Sequence, residues 1–356
     1  MQKIVKKPKD LLQILIDIAE NIDQLITLDI PLRGAIDILY RAAREKTGIP
    51  LTLAAAQALA NSIKNKDVIF IATGWPNRPL VSPQIGETDG PLGAALLSRA
   101  LHQAFNAVPF IFIEQELVPA MKKVTQSAGF KVLTPIEAIK AVDSKAPLHS
   151  ASVLSFPKDI DEAVKASLDL IQEYKPSAVI CIEKAGMNTK GSIHNMFGDD
   201  NTKYVAKIDF LVREAKRLGI TTIGIGDGGN EIGMGIIREN IRKKIPFGNK
   251  CNCPCEEGIV SVTKTDFLIT ATVSNWGAYG IAACLAILLG RPEIFHNRDI
   301  ECRILQGCAD AGLIDGISGY VEESVDSLSK KIHISIVDIL SEMIKKGLYK
   351  IGKNSG

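Results

Sequence analysis

Four short stretches of this chain crowd acids together with glycines, amides and hydroxyls. They are Gly86-Glu87-Thr88-Asp89-Gly90-Pro91-Leu92-Gly93, Glu183-Lys184-Ala185-Gly186, Gly226-Asp227-Gly228-Gly229-Asn230-Glu231-Ile232-Gly233 and Thr272-Val273-Ser274-Asn275-Trp276-Gly277. Carboxylates gathered in one place repel one another and lose hydration, so they coexist only with a cation or with bound protons. Oxygen donors suit a hard ion, Mg²⁺ or Mn²⁺, and Glu87, Asp89, Asp227 and Glu231 are the expected ligands. Glu183, Asp227 and Glu231 are the candidate catalytic acids. The N–H groups of Gly228 and Gly229 are free to face an anionic substrate, with Thr88, Asn230, Ser274 and Asn275 as further polar contacts. His194 is the one histidine placed to reach these loops, for substrate binding or proton transfer. The competing reading for any single acid is a helix cap: Asp89 precedes Pro91, and Asn275 opens a helix.

These stretches need rigid supports, and the hydrophobic pattern supplies them. Short apolar runs at 68–72, 108–113, 131–133, 152–155, 178–182, 222–225 and 267–271 alternate with helical patterns near 91–105, 117–128, 159–174, 202–218 and 276–289. Such alternation predicts an α/β fold, a mostly parallel sheet sandwiched between helical layers. Each acidic stretch follows one of these runs, at the strand ends where ligands of open parallel sheets bind. Leu11, Leu15, Ile18, Ile22 and Leu25 recur at helical spacing, so 9–26 is a helix, with two more near 32–46 and 51–64. Helices near 298–312 and 320–350 close the chain, and 352–356 are expected to fray. The predicted organisation is a helical N-terminal extension (1–65), an α/β catalytic core (66–296) and a C-terminal helical segment (297–356).

Composition excludes several classes. Lys and Arg total 42 against 40 Asp and Glu, and this balance offers no basic surface for nucleic acid. The most apolar stretch, 280–289, is too short to span a membrane, and no segment has the order of a secretory signal. Seven cysteines scattered over 356 residues do not make a disulfide framework, so reduced thiols and a cytoplasmic setting are expected. Gly224, Gly226 and Gly229 match the dinucleotide-binding spacing, but Asp227 inside that loop would repel a pyrophosphate. Cys251, Cys253 and Cys255 form a C-x-C-x-C run. It could bind zinc with a distant fourth ligand, but it departs from the C-x₂-C spacing of structural zinc sites and reads first as an exposed loop of reduced thiols.

The order and spacing of the four acidic stretches resemble the D-glutamate cyclase-like C-terminal family over 30–340. The likeness includes Ser274-Asn275-Trp276-Gly277-Ala278-Tyr279-Gly280 and Cys308-Ala309-Asp310-Ala311-Gly312. Leu92 stands where a second proline is expected, and Lys184 where arginine is common. The enzyme that gives the family its name carries this region as its C-terminal half and converts D-glutamate to 5-oxo-D-proline. The resemblance therefore implies a hydro-lyase in which a metal at Glu87, Asp89, Asp227 and Glu231 polarises the γ-carboxylate. Glu183 or His194 would take a proton from the α-ammonium group, and Lys184 would hold the α-carboxylate. Stand-alone members imply a second activity, a manganese-dependent phosphatase in which the Gly228 and Gly229 N–H groups stabilise developing charge. A sensor of a small acidic metabolite is the non-enzymatic reading. In each case the expected partner is a small anion, in a possible homo-oligomer.

Overall fold

A computed structural model describes residues 11–354. Seven strands form one sheet in the order β3-β4-β2-β1-β5-β6-β7, every neighbouring pair parallel. They are β1 (Val68–Thr73), β2 (Val108–Ile113), β3 (Lys131–Val132), β4 (Ser150–Ser155), β5 (Ala178–Ile182), β6 (Thr221–Gly226) and β7 (Phe267–Thr270). All seven apolar runs of the sequence are strands. β1, β2 and β5 are buried at every residue, as strands covered on both faces must be.

Alternate side chains serve two cores. Ile69, Ile71, Ile111, Ile180 and Ile225 face one layer, and Phe70, Ala72, Phe110, Phe112 and Val179 face the other. The second layer comprises α6 (Pro135–Ala141), α7 (Ile160–Tyr174) and α8 (Ile208–Arg217). The first contains α1 (Leu11–Ile26), α2 (Ile36–Thr47), α3 (Leu51–Ser62), α4 (Pro91–Phe105), α5 (Val118–Ser127), α9 (Arg238–Lys244) and α10 (Ser274–Leu288). It also holds α11 (Arg298–Asp310) and α12 (Lys330–Asn354), the latter against α1. α10 is buried from Ser274 to Ile287, so the apolar stretch noted in the sequence is the innermost helix of this layer. No helix among the described residues is long and apolar enough to cross a membrane.

The structure differs from the expectations in five places. The helix expected at 202–218 starts at Ile208, because the preceding turn gives the Ala206 N–H to Glu114 and the Lys207 N–H to the Pro157 carbonyl. α6 has a sequence signal that went unread, the Thr134/Glu137 capping box followed by Pro135. α9, seven residues long, was also unread. Within 320–350, a hairpin of β8 (Ser324–Val325) and β9 (Leu328–Ser329) precedes α12. Its two-residue turn holds Asp326 and Ser327 at φ 54° and 63°, the left-handed pair that suits strand twist. α12 continues to Asn354, so 352–354 are helical; 9–10 and 355–356 lie outside the described residues.

The N-terminal helices are fixed by one buried acid. Asp23, fully buried on α1, accepts hydrogen bonds from the Leu51 and Thr52 N–H groups (2.7 and 3.2 Å) and the Thr52 hydroxyl (2.5 Å). α3 starts after Pro50 with no cap of its own, and Asp23 supplies it from another helix. Replacing it strands three buried donors. Asp23→Ala is therefore expected to cost about 3 kcal/mol, read by chemical denaturation.

Candidate functional site

The chain leaves β1 toward β2 on one side of the sheet, and leaves β5 toward β6 on the other. Loops part between β1 and β5, which opens a crevice at their carboxyl ends. A cavity of about 990 Å³ lies there. Glu87, Asp89, Glu183, Asp227 and Asp326 reach its wall, with Arg33, Asn77, Arg78, Gly228 and Asn230. Leu80, Val81, Phe197 and Ile317 form an exposed apolar rim.

Asp89, Glu183 and Asp227 each place a carboxylate oxygen within 4.8 Å of the others. Each is held differently. Asp89 accepts from the Ser274 and Asn275 N–H groups, both at 2.9 Å, and so caps α10. Asn275 answers by accepting from the Gly90 and Gly93 N–H groups (3.0 and 2.7 Å), and so caps α4. The capping alternative raised by the sequence thus describes both residues, but each caps the other's helix. Glu183 follows β5 directly at φ 47°, a left-handed conformation uncommon for a glutamate, and its Oε2 accepts from the Ser274 hydroxyl at 2.6 Å. Gly90 makes this packing possible: at φ 91°, any Cβ on it would lie 2.9 Å from the Glu183 Cβ. Asp227 meets Arg33 at 3.0 Å.

Burial first, and then mutual repulsion, shifts these acids. Glu87 and Glu183 are held well above the usual carboxyl range. Glu183 feels Asp227, Glu231 and Asp89. For Glu87 a bond from Asn77 partly offsets burial. Asp89 is pushed up to about 7 by burial and Asp227, against the lowering effect of its backbone bonds. Burial opposes charge on Arg33, but Asp227, Asp326, Asp89 and Glu183 outweigh it and raise its pKa. Arg33 also contacts Asp326 (3.4 Å) and donates to the Thr272 carbonyl. The Arg33 guanidinium thus offsets four carboxyls that line the same cavity.

Several expected roles change. Glu231 does not join the group of three. Its carboxylate turns back to accept from the Asp227, Gly228 and Gly229 N–H groups at 2.7–2.8 Å, beside Gly226, where a Cβ would overlap it. The Gly228 and Gly229 donors expected to receive an anion, or a dinucleotide's phosphates, are therefore already occupied. Glu231 itself is raised to about 7 by burial and Asp227, with the loop N–H groups opposing. Lys184 points away from the cavity. Fully buried, it pairs with Glu114 and donates to the Gly74 carbonyl at 3.0 Å. His194 also turns away: its Nε2 lies 3.2 Å from the Cys253 sulfur, and Asn230 donates to its carbonyl (2.8 Å) instead of facing substrate. Thr88 bonds the Ile314 carbonyl at 3.0 Å. Glu87 lines the cavity outside the group of three, bonded by Asn77 at 2.8 Å.

Arg33, Asp326 and Asn77 were missed. Arg33 belongs to a turn in which Asp29 accepts from the Arg33 and Gly34 N–H groups, and that Asp-to-Gly spacing was its one available signal. Asp326 occupies the β8–β9 turn, inside a stretch whose apolar pattern suggests helix.

Two outcomes follow. The acids whose folded pKa is raised favour the folded state most below their unfolded values near 4, and that stability is lost as pH rises through about 7. Protein without added divalent ion should melt at a higher temperature at pH 5.5 than at pH 8, by differential scanning calorimetry. Lys184→Met leaves Glu114 uncompensated and should cost about 3–5 kcal/mol, whereas adding Glu114→Gln should recover much of the loss in denaturation curves.

Residues 22–341 match the D-glutamate cyclase-like, C-terminal family. The mitochondrial D-glutamate cyclase of Homo sapiens is 31% identical over 231 residues, which cover 64% of this chain and 34% of the human protein. The chain thus spans about a third of the length of that relative.

Proposed function

We propose, starting from the chain's family, that it is a divalent-metal-dependent hydro-lyase closing D-glutamate to 5-oxo-D-proline; the chain belongs to the D-glutamate cyclase-like, C-terminal family. The observation that carries the reading is the meeting of Asp89, Glu183 and Asp227 beside Arg33 in a cavity roomy enough for an amino acid.

The donor set fits a hard cation: three carboxylates from three strand ends, whose crowding leaves negative charge that one arginine does not balance. A Mn²⁺ or Mg²⁺ ion held by Asp89, Glu183 and Asp227 would supply Lewis acidity to the γ-carboxylate. Arg33, rather than Lys184, is placed to receive a substrate carboxylate, since its planar fork lines the cavity. The surrounding acids complement the α-ammonium group. Glu183 would be the proton carrier through the carboxylate oxygen not given to the cation, taking a proton from the ammonium group and returning it to the departing oxygen. The two protons lost by nitrogen leave with that oxygen as water, so the closure consumes no net proton. His194, turned to the cysteines, has no part in it.

The test is to incubate the purified chain with Mn²⁺ and D-glutamate and to follow 5-oxo-D-proline by chiral chromatography. Product is expected with wild type. Asp227→Asn is expected to fold by circular dichroism yet to bind Mn²⁺ about tenfold to a hundredfold more weakly by calorimetry, with activity lost. Phosphate release from a generic ester without cyclisation would replace the reading with a phosphatase. Saturable D-glutamate binding without turnover would replace it with a sensor. Unchanged Mn²⁺ affinity in folded Asp227→Asn would remove the metal assignment.

A further inference from the structure

The turn carrying His194 and the loop carrying Cys251, Cys253 and Cys255 meet outside the acidic cavity. Cys251 Sγ lies 3.5 Å from Cys253 Sγ and 3.3 Å from Cys255 Sγ. His194 Nε2 lies 3.2 Å from Cys253 Sγ and 3.6 Å from Cys255 Sγ. All four atoms fall within 4.8 Å of one another. We propose that these residues form a structural zinc site, Cys₃His, which pins one wall of the cavity.

Distances and chemistry both favour it. A tetrahedral zinc with sulfur at about 2.3 Å and nitrogen at about 2.05 Å sets S···S edges of about 3.8 Å and S···N edges of about 3.5 Å. The four edges given above lie within about half an ångström of those values. A disulfide needs sulfurs about 2.05 Å apart, and every cysteine here is free. Three soft sulfurs and one imidazole select zinc over the hard ions suited to Asp89, Glu183 and Asp227. The sulfurs are also served as acceptors: the Asn188 amide donates to Cys255 Sγ and the Cys255 N–H to Cys253 Sγ, both at 3.4 Å. With four protein ligands the site has no open position, which assigns it to structure rather than catalysis. The sequence left room for a distant fourth ligand without naming it, and His194 lies 57 residues before Cys251 (251 minus 194).

The site ties together two segments that otherwise meet through a few loop hydrogen bonds. Asn252 donates to the Gly198 carbonyl at 2.9 Å and to the Phe197 carbonyl at 2.6 Å. Asn195, Met196 and Phe197, which follow His194 directly, line the cavity, as do Pro246 and Phe247 on the cysteine side. Zinc would therefore hold the wall at a fixed distance from the acids.

The full chain, expressed with zinc and purified under reductant, should carry about one zinc per chain after gel filtration, by elemental analysis. A Cys253→Ser, Cys255→Ser double variant should carry less than about a tenth as much. Cobalt-exchanged wild type should show the thiolate charge-transfer and tetrahedral bands of a sulfur-rich site, which holds even if the variant folds poorly. Zinc below about a tenth of an equivalent in wild type, equal zinc in the folded double variant, or cobalt spectra without thiolate bands would each overturn the proposal. Iron in place of zinc would overturn the choice of metal. None of these readouts uses turnover, so their failure leaves the reading of the acidic cavity untouched.

Discussion

Asp89 and Asn275 exchange caps. Each sits at the start of one helix and satisfies the open N–H groups of the other, so α4 and α10, which pack against each other, are locked together at their N-termini. A helix N-terminus carries partial positive charge and unpaired donors. Asp89 answers that at α10 while turning an oxygen toward Glu183 and Asp227. The same contact therefore supports the inner helical layer and sets the floor of the cavity. Ser274 extends the arrangement: its N–H binds Asp89 and its hydroxyl binds Glu183, so the strand ends of β1, β5 and β7 meet through one residue.

Around that floor the electrostatics are deliberately unbalanced. Elsewhere the chain neutralises buried charge in place: Lys184 pairs with Glu114, and Glu231 fills the donor-rich turn of its own loop. At the cavity wall four carboxyls share Arg33, and burial with mutual repulsion raises the pKa values of Asp89, Glu183 and Asp326. Perturbed groups gathered in a cleft mark a functional site more strongly than paired ones do. The two kinds of acid lie a few residues apart in sequence, yet only geometry separates them. Asp227 faces the cavity; Glu231, four positions on, completes a turn.

How much could be read in advance follows from this. Strands buried on both faces write themselves as continuous apolar runs, so all seven were legible. Acids at strand ends were legible as a group, because a parallel sheet gathers its carboxyl ends at one edge. What the sequence could not convey was side-chain direction. Lys184 follows a strand end as Glu183 does, but it turns into the core, and only Glu114, a residue with no motif around it, explains why. His194 looked like an acid–base group until the cysteines came into view. Arg33 and Asp326 come from a turn and a hairpin joined across 293 positions, and no local pattern encodes a contact at that range.

That contact between Arg33 and Asp326 has a bearing on kinetics. Bringing residues so far apart together requires most of the intervening sheet to be in place, since closing long loops costs entropy that only completed packing offsets. The acids around Arg33 are therefore expected to meet late in folding, on the native side of the barrier. Interactions that form on the native side of the barrier govern how fast a protein opens rather than how fast it folds. Whatever neutralises this cluster is then expected to slow unfolding, so that the lifetime of the native chain becomes a property of its occupied cavity.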